Sequence, residues 1–200
     1  MKNWNVGILL FNEVELLDFA GPFEVFSITA YPNCDKKPFT VNTVAQTKDL
    51  ISVRNGLKVL PDYDFINSPC FDILLIPGGY GAEEIEIHNE ILINWIRDKA
   101  SECHIIASVC TGSFLLAEAG ILDGKRATTH WMDISRLERE YSKVKIQRGV
   151  KFVDENTIIT SGGISAGINM SFYLLIRLVG KEIAIATAKR MEYDIDILKM

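Results

Sequence analysis

Two residues of this sequence have the strongest claim to chemistry: a cysteine at the end of an apolar run and an aspartate set in an apolar frame. Cys110 follows Ile-Ile-Ala-Ser-Val at residues 105–109 and precedes Thr111-Gly112-Ser113, where a helical pattern opens. A thiol at such a junction faces unpaired backbone N–H groups and the positive end of a helix dipole. Both favour thiolate, so Cys110 is expected to be an ionised nucleophile. Its small neighbours Ser108 and Gly112 permit the tight turn of a nucleophile elbow. Asp18 stands within Leu16-Leu17-Asp18-Phe19-Ala20. On a loop leaving the first strand it would reach the same crevice. A carboxyl buried beside a thiolate should hold its proton more tightly, hydrogen-bond the sulfur and act as proton donor or acceptor. As a helix N-cap before Pro22, Asp18 would have only a structural role.

Gly78-Gly79 follows another buried run and can bring backbone N–H groups close to a ligand. With the N–H of Thr111 they would form an oxyanion-type hole; a plain turn is the alternative. His130, in Thr128-Thr129-His130-Trp131, reads either as a crevice residue or as a packed side chain. The three histidines show no i,i+4 pairing and no ligand spacing with Cys or carboxylates, so no metal is expected. The sequence has no G-x-S-x-G, G-x-G-x-x-G or P-loop motif. The four cysteines, Cys34, Cys70, Cys103 and Cys110, are irregularly spaced without a C-x-x-C pair. Each reads as a buried hydrophobe or a reactive thiol rather than half of a disulfide.

The elements that must position these residues alternate along the chain. Residues 6–11 (VGILLF), 71–77 (FDILLIP) and 105–109 (IIASV) read as strands buried on both faces, and residues 39–45 (FTVNTVA) as an alternating strand. Pro22 suits the first turn of a helix whose buried face carries Phe23, Phe26 and Ala30. Residues 51–53 and 57–60 flank Arg54-Asn55-Gly56, a hairpin signal, and residues 150–153 and 157–160 flank a second tight connection. Further helices are expected near residues 88–100, after Cys110 up to Gly120, and over 132–141, 164–179 and 182–193; a short strand is expected at 127–130. The glycines of Ser161-Gly162-Gly163-Ile164-Ser165-Ala166-Gly167 let a helix approach the sheet closely. Doubly buried strands separated by helices imply an α/β fold with a mostly parallel sheet, whose ligands sit beyond the carboxyl ends of the strands. The loops after Phe11, at Gly78-Gly79 and at Cys110 therefore matter most.

With 200 residues, 48% apolar and 24% charged, the chain is expected to form one domain over residues 1–200. The net charge of −5 comes without a basic block, which argues against nucleic acid as a partner. No stretch is apolar enough for a signal peptide or a membrane helix, so a cytoplasmic protein without membrane attachment is expected.

These residues resemble the DJ-1/PfpI (ThiJ) superfamily. The likeness rests on Leu17-Asp18-Phe19-Ala20-Gly21-Pro22, Ile76-Pro77-Gly78-Gly79, Ala107-Ser108-Val109-Cys110-Thr111-Gly112-Ser113, the run from Leu122 to Trp131, and the run from Thr160 to Gly167. It implies a flavodoxin-like three-layer sandwich, a reactive elbow cysteine and a homodimer. Thr111 stands where protease-like and glyoxalase-like members carry His, a departure from the Cys–His dyad. The Asp-Phe-Ala-Gly-Pro and Cys-Thr-Gly versions are instead similar to isonitrile hydratases and to the amidase-like domain of AraC-type regulators. The chain ends just after the last family helix, so no helix-turn-helix domain is expected. The resemblance implies Cys110 as nucleophile, Asp18 as acid/base partner and Thr111 as a further polar contact. It implies that Gly79 lends an amide to an anion pocket with Gly78 beside it, that His130 lies near the cysteine, and that Asn169 stands where the family often has Asp. The expected function is cysteine-dependent hydration of an isonitrile to an N-substituted formamide, without metal or organic cofactor. Protease- or amidase-like and glyoxalase-like activities, or a non-catalytic redox- or ligand-sensing role, are the alternatives.

Overall fold

The runs that read as continuous apolar strands form the centre of one sheet. The computed structural model describes residues 2–32 and 36–196; Cys34 lies outside them. In chain order the strands are β1 (Trp4–Leu9), β2 (Phe39–Ala45), β3 (Ile51–Ser52), β4 (Lys58–Val59), β5 (Tyr63–Asp64), β6 (Ile73–Ile76), β7 (Ile105–Val109), β8 (Arg126–Ala127), β9 (Lys145–Ile146), β10 (Phe152–Asp154) and β11 (Ile158–Ser161). The helices are α1 (Leu16–Ile28), α2 (Glu90–Glu102), α3 (Gly112–Glu118), α4 (Ile134–Glu140), α5 (Ser165–Val179) and α6 (Lys181–Arg190).

The main sheet runs β10-β11-β7-β6-β1-β2-β5. Its pairings are parallel except for β10 against β11. Every residue of β6 and β7 is buried, as strands covered on both faces must be. Helix α1 packs on α5, and α5 on α6; α2 packs on α3. These two groups cover the sheet in a flavodoxin-like sandwich. The chain leaves β1 for β2 on one side and returns to β6 on the other. This reversal opens a crevice at the carboxyl ends of β1, β6 and β7.

Three local differences from the sequence reading bear on the site. Helix α1 starts at Leu16, so Pro22 is its seventh residue rather than part of its first turn. Proline there removes the N–H that would bond the carbonyl of Asp18. Burial of Phe19, Val25 and Phe26 holds the helix together across that gap. Asp18 is therefore neither on a loop nor an N-cap; it sits in the first helical turn, and Glu15 is the N-cap residue. Residues expected to be a loop after Gly79 form a π-helical turn, Gly81–Ile85, and a 3₁₀ turn, Glu86–His88. His130 lies past the short strand expected to contain it: β8 ends at Ala127 and pairs with β9. Among the described residues, no helix is long and apolar enough to cross a membrane.

Candidate active site

Cys110 occupies the junction between β7 and α3 with a backbone φ of 57°, a left-handed conformation that is strained for any residue with a side chain. Its N–H donates to the carbonyls of Ser161 and Gly162, both at 3.2 Å, and its carbonyl accepts from Thr129 Oγ1 at 2.9 Å. These bonds hold the strained backbone in place. Gly78 must be glycine: a Cβ there would lie 2.5 Å from the Thr111 nitrogen and 2.9 Å from the Cys110 Cβ. The missing side chain lets the loop after β6 close onto the elbow.

Asp18 reaches this point from α1 and is fully buried. Oδ2 accepts from the Gly78 N–H at 3.1 Å, and Oδ1 accepts from the Ile164 N–H at 2.9 Å. The carboxyl lies close enough to the Cys110 thiol for the two groups to shift each other's proton affinity. Burial pushes its pKa up to about 7, even though the two amides favour the anion. The raised proton affinity expected for Asp18 is thus present. The expected thiolate is not: burial, then the negative charge of Asp18, drive the Cys110 thiol well above its ordinary range, and the Thr111 N–H offsets only part of this. Helix α3 has just seven residues, which makes it a short source of dipole beside the buried thiol. Burial therefore favours the protonated thiol at Cys110, beside the Asp18 carboxyl.

The oxyanion hole expected from Gly78 and Gly79 is not open. The Gly78 N–H is taken by Asp18, and the Gly79 N–H donates to Thr111 Oγ1 at 2.9 Å. Thr111 therefore acts on the loop rather than presenting a free hydroxyl; its Oγ1 also donates to the Gly79 carbonyl at 3.3 Å. The Thr111 N–H lowers the proton affinity of the sulfur, against the effect of burial.

Above the sulfur lies a cavity of about 220 Å³. Of the expected site residues, Cys110, Thr111, Gly79 and His130 line it, whereas Gly78 and Asp18 do not. His130 Nδ1 is 3.3 Å from Asp133 Oδ2. Gly163 separates that imidazole from the thiol, because a Cβ there would sit 2.4 Å from His130 Cδ2 and 3.0 Å from Cys110 Sγ. Sequence reasoning missed the remaining lining side chains Glu15, Arg54, Glu83, Met132, Asp133 and Ile164. They come from five separate segments, and no spacing rule connects them. One signal existed: Arg54 heads the Asn55-Gly56 turn, whose positive φ angles (68° and 99°) let the chain reverse there, and Glu15 holds its guanidinium at the cavity. Ile164 has φ 53°, rare for a β-branched residue, and this conformation directs its N–H at Asp18. Among the described residues, no group of three His, Cys, Asp or Glu side chains is arranged to hold a metal ion. Asn169 is buried in α5.

The sequence matches the profile of the DJ-1/PfpI family over residues 5–176. An isonitrile hydratase from Pseudomonas putida is 34% identical, over 94% of this chain and 78% of that protein. The HTH-type transcriptional regulator GbdR from Pseudomonas aeruginosa is 25% identical over 95% of this chain, which spans about half (51%) of that regulator. In three dimensions the chain is similar to a ThiJ/PfpI family protein from Pseudomonas syringae, with a TM-score of 0.87 at 24% identity, covering 98% of this chain and 77% of that one; that likeness concerns the fold.

Proposed function

Because this chain belongs to the DJ-1/PfpI family, we propose that it is a cysteine-dependent enzyme acting on a small molecule, and that it hydrates an isonitrile to an N-substituted formamide. One observation carries the reading: a fully buried carboxyl with its pKa raised to about 7 by burial, set beside the thiol that lines a cavity. The 34% identity to an isonitrile hydratase supports the substrate.

The thiol resting state fits addition to an isonitrile, whose terminal carbon must gain both a nucleophile and a proton. The Cys110 sulfur bonds to that carbon while the S–H proton passes to it through Asp18. The S–H bond breaks, C–S and C–H bonds form, and a thioimidate results. Water then adds to the same carbon; Asp18 accepts its proton, and the nitrogen receives one. Collapse breaks the C–S bond, releases the formamide and restores the thiol. One water is consumed, and no oxidant or reductant enters the balance. Thr111 keeps Gly79 against the elbow, and His130 borders the bound molecule.

Incubation of the purified protein with an alkyl or aryl isonitrile, followed by detection of the formamide proton by NMR, tests this. Formamide above a Cys110→Ala control is expected; none discards the substrate. A ligand-sensing role without turnover is the second reading, supported by the likeness to GbdR. Saturable binding of the isonitrile to a protein that makes no formamide would favour it.

A further inference from the structure

The cavity above Cys110 is unevenly charged. Glu15, Glu83 and Asp133 line it with side chains only 19–25% exposed. The guanidinium in the lining, that of Arg54, is 49% exposed at the rim and is held at 3.4 Å by Glu15. Arg136 lies behind Glu83 and is shared: it is 3.7 Å from Glu83, 2.7 Å from Glu84 and 3.2 Å from Glu140. Asp133 has His130 at 3.3 Å. Burial and then the charge of Asp133 push the Glu83 carboxyl above its ordinary range, and Arg136 offsets this only in part. The donors that would welcome an anion are turned away, since the Gly78 and Gly79 amides are spent on Asp18 and Thr111. Carboxylates thus outnumber cations around the space a substrate must fill, and the amide cradle below it is closed.

We propose that Glu83 and Asp133 are specificity-determining residues that make this cavity select molecules carrying a positively charged amine and reject carboxylates and phosphates. The inference rests on the reading of the Cys110 cavity as the reaction site and names the class of substrate it takes. A cationic substituent on the reacting molecule would lie among Glu83, Asp133 and Glu15 while its reactive carbon meets the sulfur. Opposite charges a few ångströms apart in a half-buried site attract far more strongly than in water.

The test uses the native thiol as reporter and needs no turnover. The protein is treated with trimethylammonium-ethyl, uncharged methyl and sulfonato-ethyl methanethiosulfonates at high salt, which screens the net charge of the chain. In each case the cysteine sulfur bonds to the divalent sulfur of the reagent, the S–SO₂ bond breaks, and methanesulfinate leaves while the thiol proton is released. Peptide mass spectrometry gives the rate at Cys110 and at the exposed Cys70 of the same molecule. The cation-to-anion rate ratio at Cys110 is expected to exceed that at Cys70 by about tenfold or more. Glu83→Gln combined with Asp133→Asn should bring it down to the Cys70 value, and Arg54→Gln should raise it. Should the double variant fail to fold, Arg54→Gln carries the test, because its side chain is half exposed. Equal rates, a faster anion, a Cys110 that reacts with none of the reagents, or a ratio indifferent to the substitutions overturns the proposal. Absence of formamide with the ratio intact removes the isonitrile reading alone; a flat ratio in a protein that makes formamide removes the charge selectivity alone.

Discussion

The two ends of the β6–β7 pair carry nearly the same side chains, but their carboxyls shift in opposite directions. At the carboxyl end stand Cys110, Asp18 and His130; at the amino end stand Cys103, Asp72 and His104 around a second cavity. Asp72 is partly exposed and pairs with Lys2 at 3.0 Å and the Asn5 N–H at 2.8 Å. Burial alone would raise its pKa, but the amide and the ammonium together hold it below the usual carboxylate range. Cys103 is pushed up to about 12, chiefly by burial, with the helix-end carboxylate Glu102 next in effect. At the carboxyl end the carboxyl accepts from two amides, has no cation bonded to it, and lies beside the sulfur, with burial holding its pKa up. An inventory of Cys, Asp and His does not make a site. The backbone does, through a left-handed Cys110, a Gly78 that admits the facing loop and an Ile164 amide aimed inward.

The strongest way to break the contrast is to delete each thiol. Cys110→Ala should lower formamide formation by at least about a thousandfold, as for other nucleophile deletions, whereas Cys103→Ala should leave it within about twofold. Equal losses would end the distinction.

Next comes the sign of the pH dependence. The folded pKa of Asp18 lies above its unfolded value, 3.8 against about 7. Its contribution to stability is therefore complete below about pH 4 and is lost as pH rises through 7, roughly 4 kcal/mol in all by linkage. Asp72, with a lowered pKa, contributes in the opposite sense: its share is present above the unfolded pKa and lost on acidification. Thermal melts between pH 5 and 8 should show a decline that Asp18→Asn flattens and Asp72→Asn leaves in place. An unchanged slope in Asp18→Asn would contradict the buried proton.

Smaller is Gly163→Ala. The added methyl meets His130 Cδ2 and Cys110 Sγ, and turnover should fall about ten- to a hundredfold while the fold persists. Smallest is Lys2→Ala at the amino end, where the ion pair is half exposed and its loss should cost under about 1 kcal/mol in urea titration.

Much of the framework was legible because doubly buried strands have a blunt signature. Residues 39–45 and 105–109 are strands end to end, and the Asn55-Gly56 turn joins β3 to β4 as its residues imply. The start of α1 was not legible: Pro22 imitates a first turn, and only packing on α5 shows that six helical residues precede it. Cys110 and Asp18 stood out by type and frame. The protonation of the thiol did not, since it depends on how much water the folded loops exclude. The amides of Gly78 and Gly79 looked available because their acceptors, Asp18 and Thr111, lie 60 and 32 residues away in the chain.

The sheet has one further consequence, at its margins. β5 contributes two residues and β10 three, and beside β5 the Thr43 N–H of β2 is taken by the Asp62 carboxylate, so the outermost strands themselves offer only short rows of unpaired peptide groups. Truncated borders of this kind resist recruitment into intermolecular ribbons, and concentrated solutions of the folded chain are expected to stay free of fibrous aggregates that grow strand by strand.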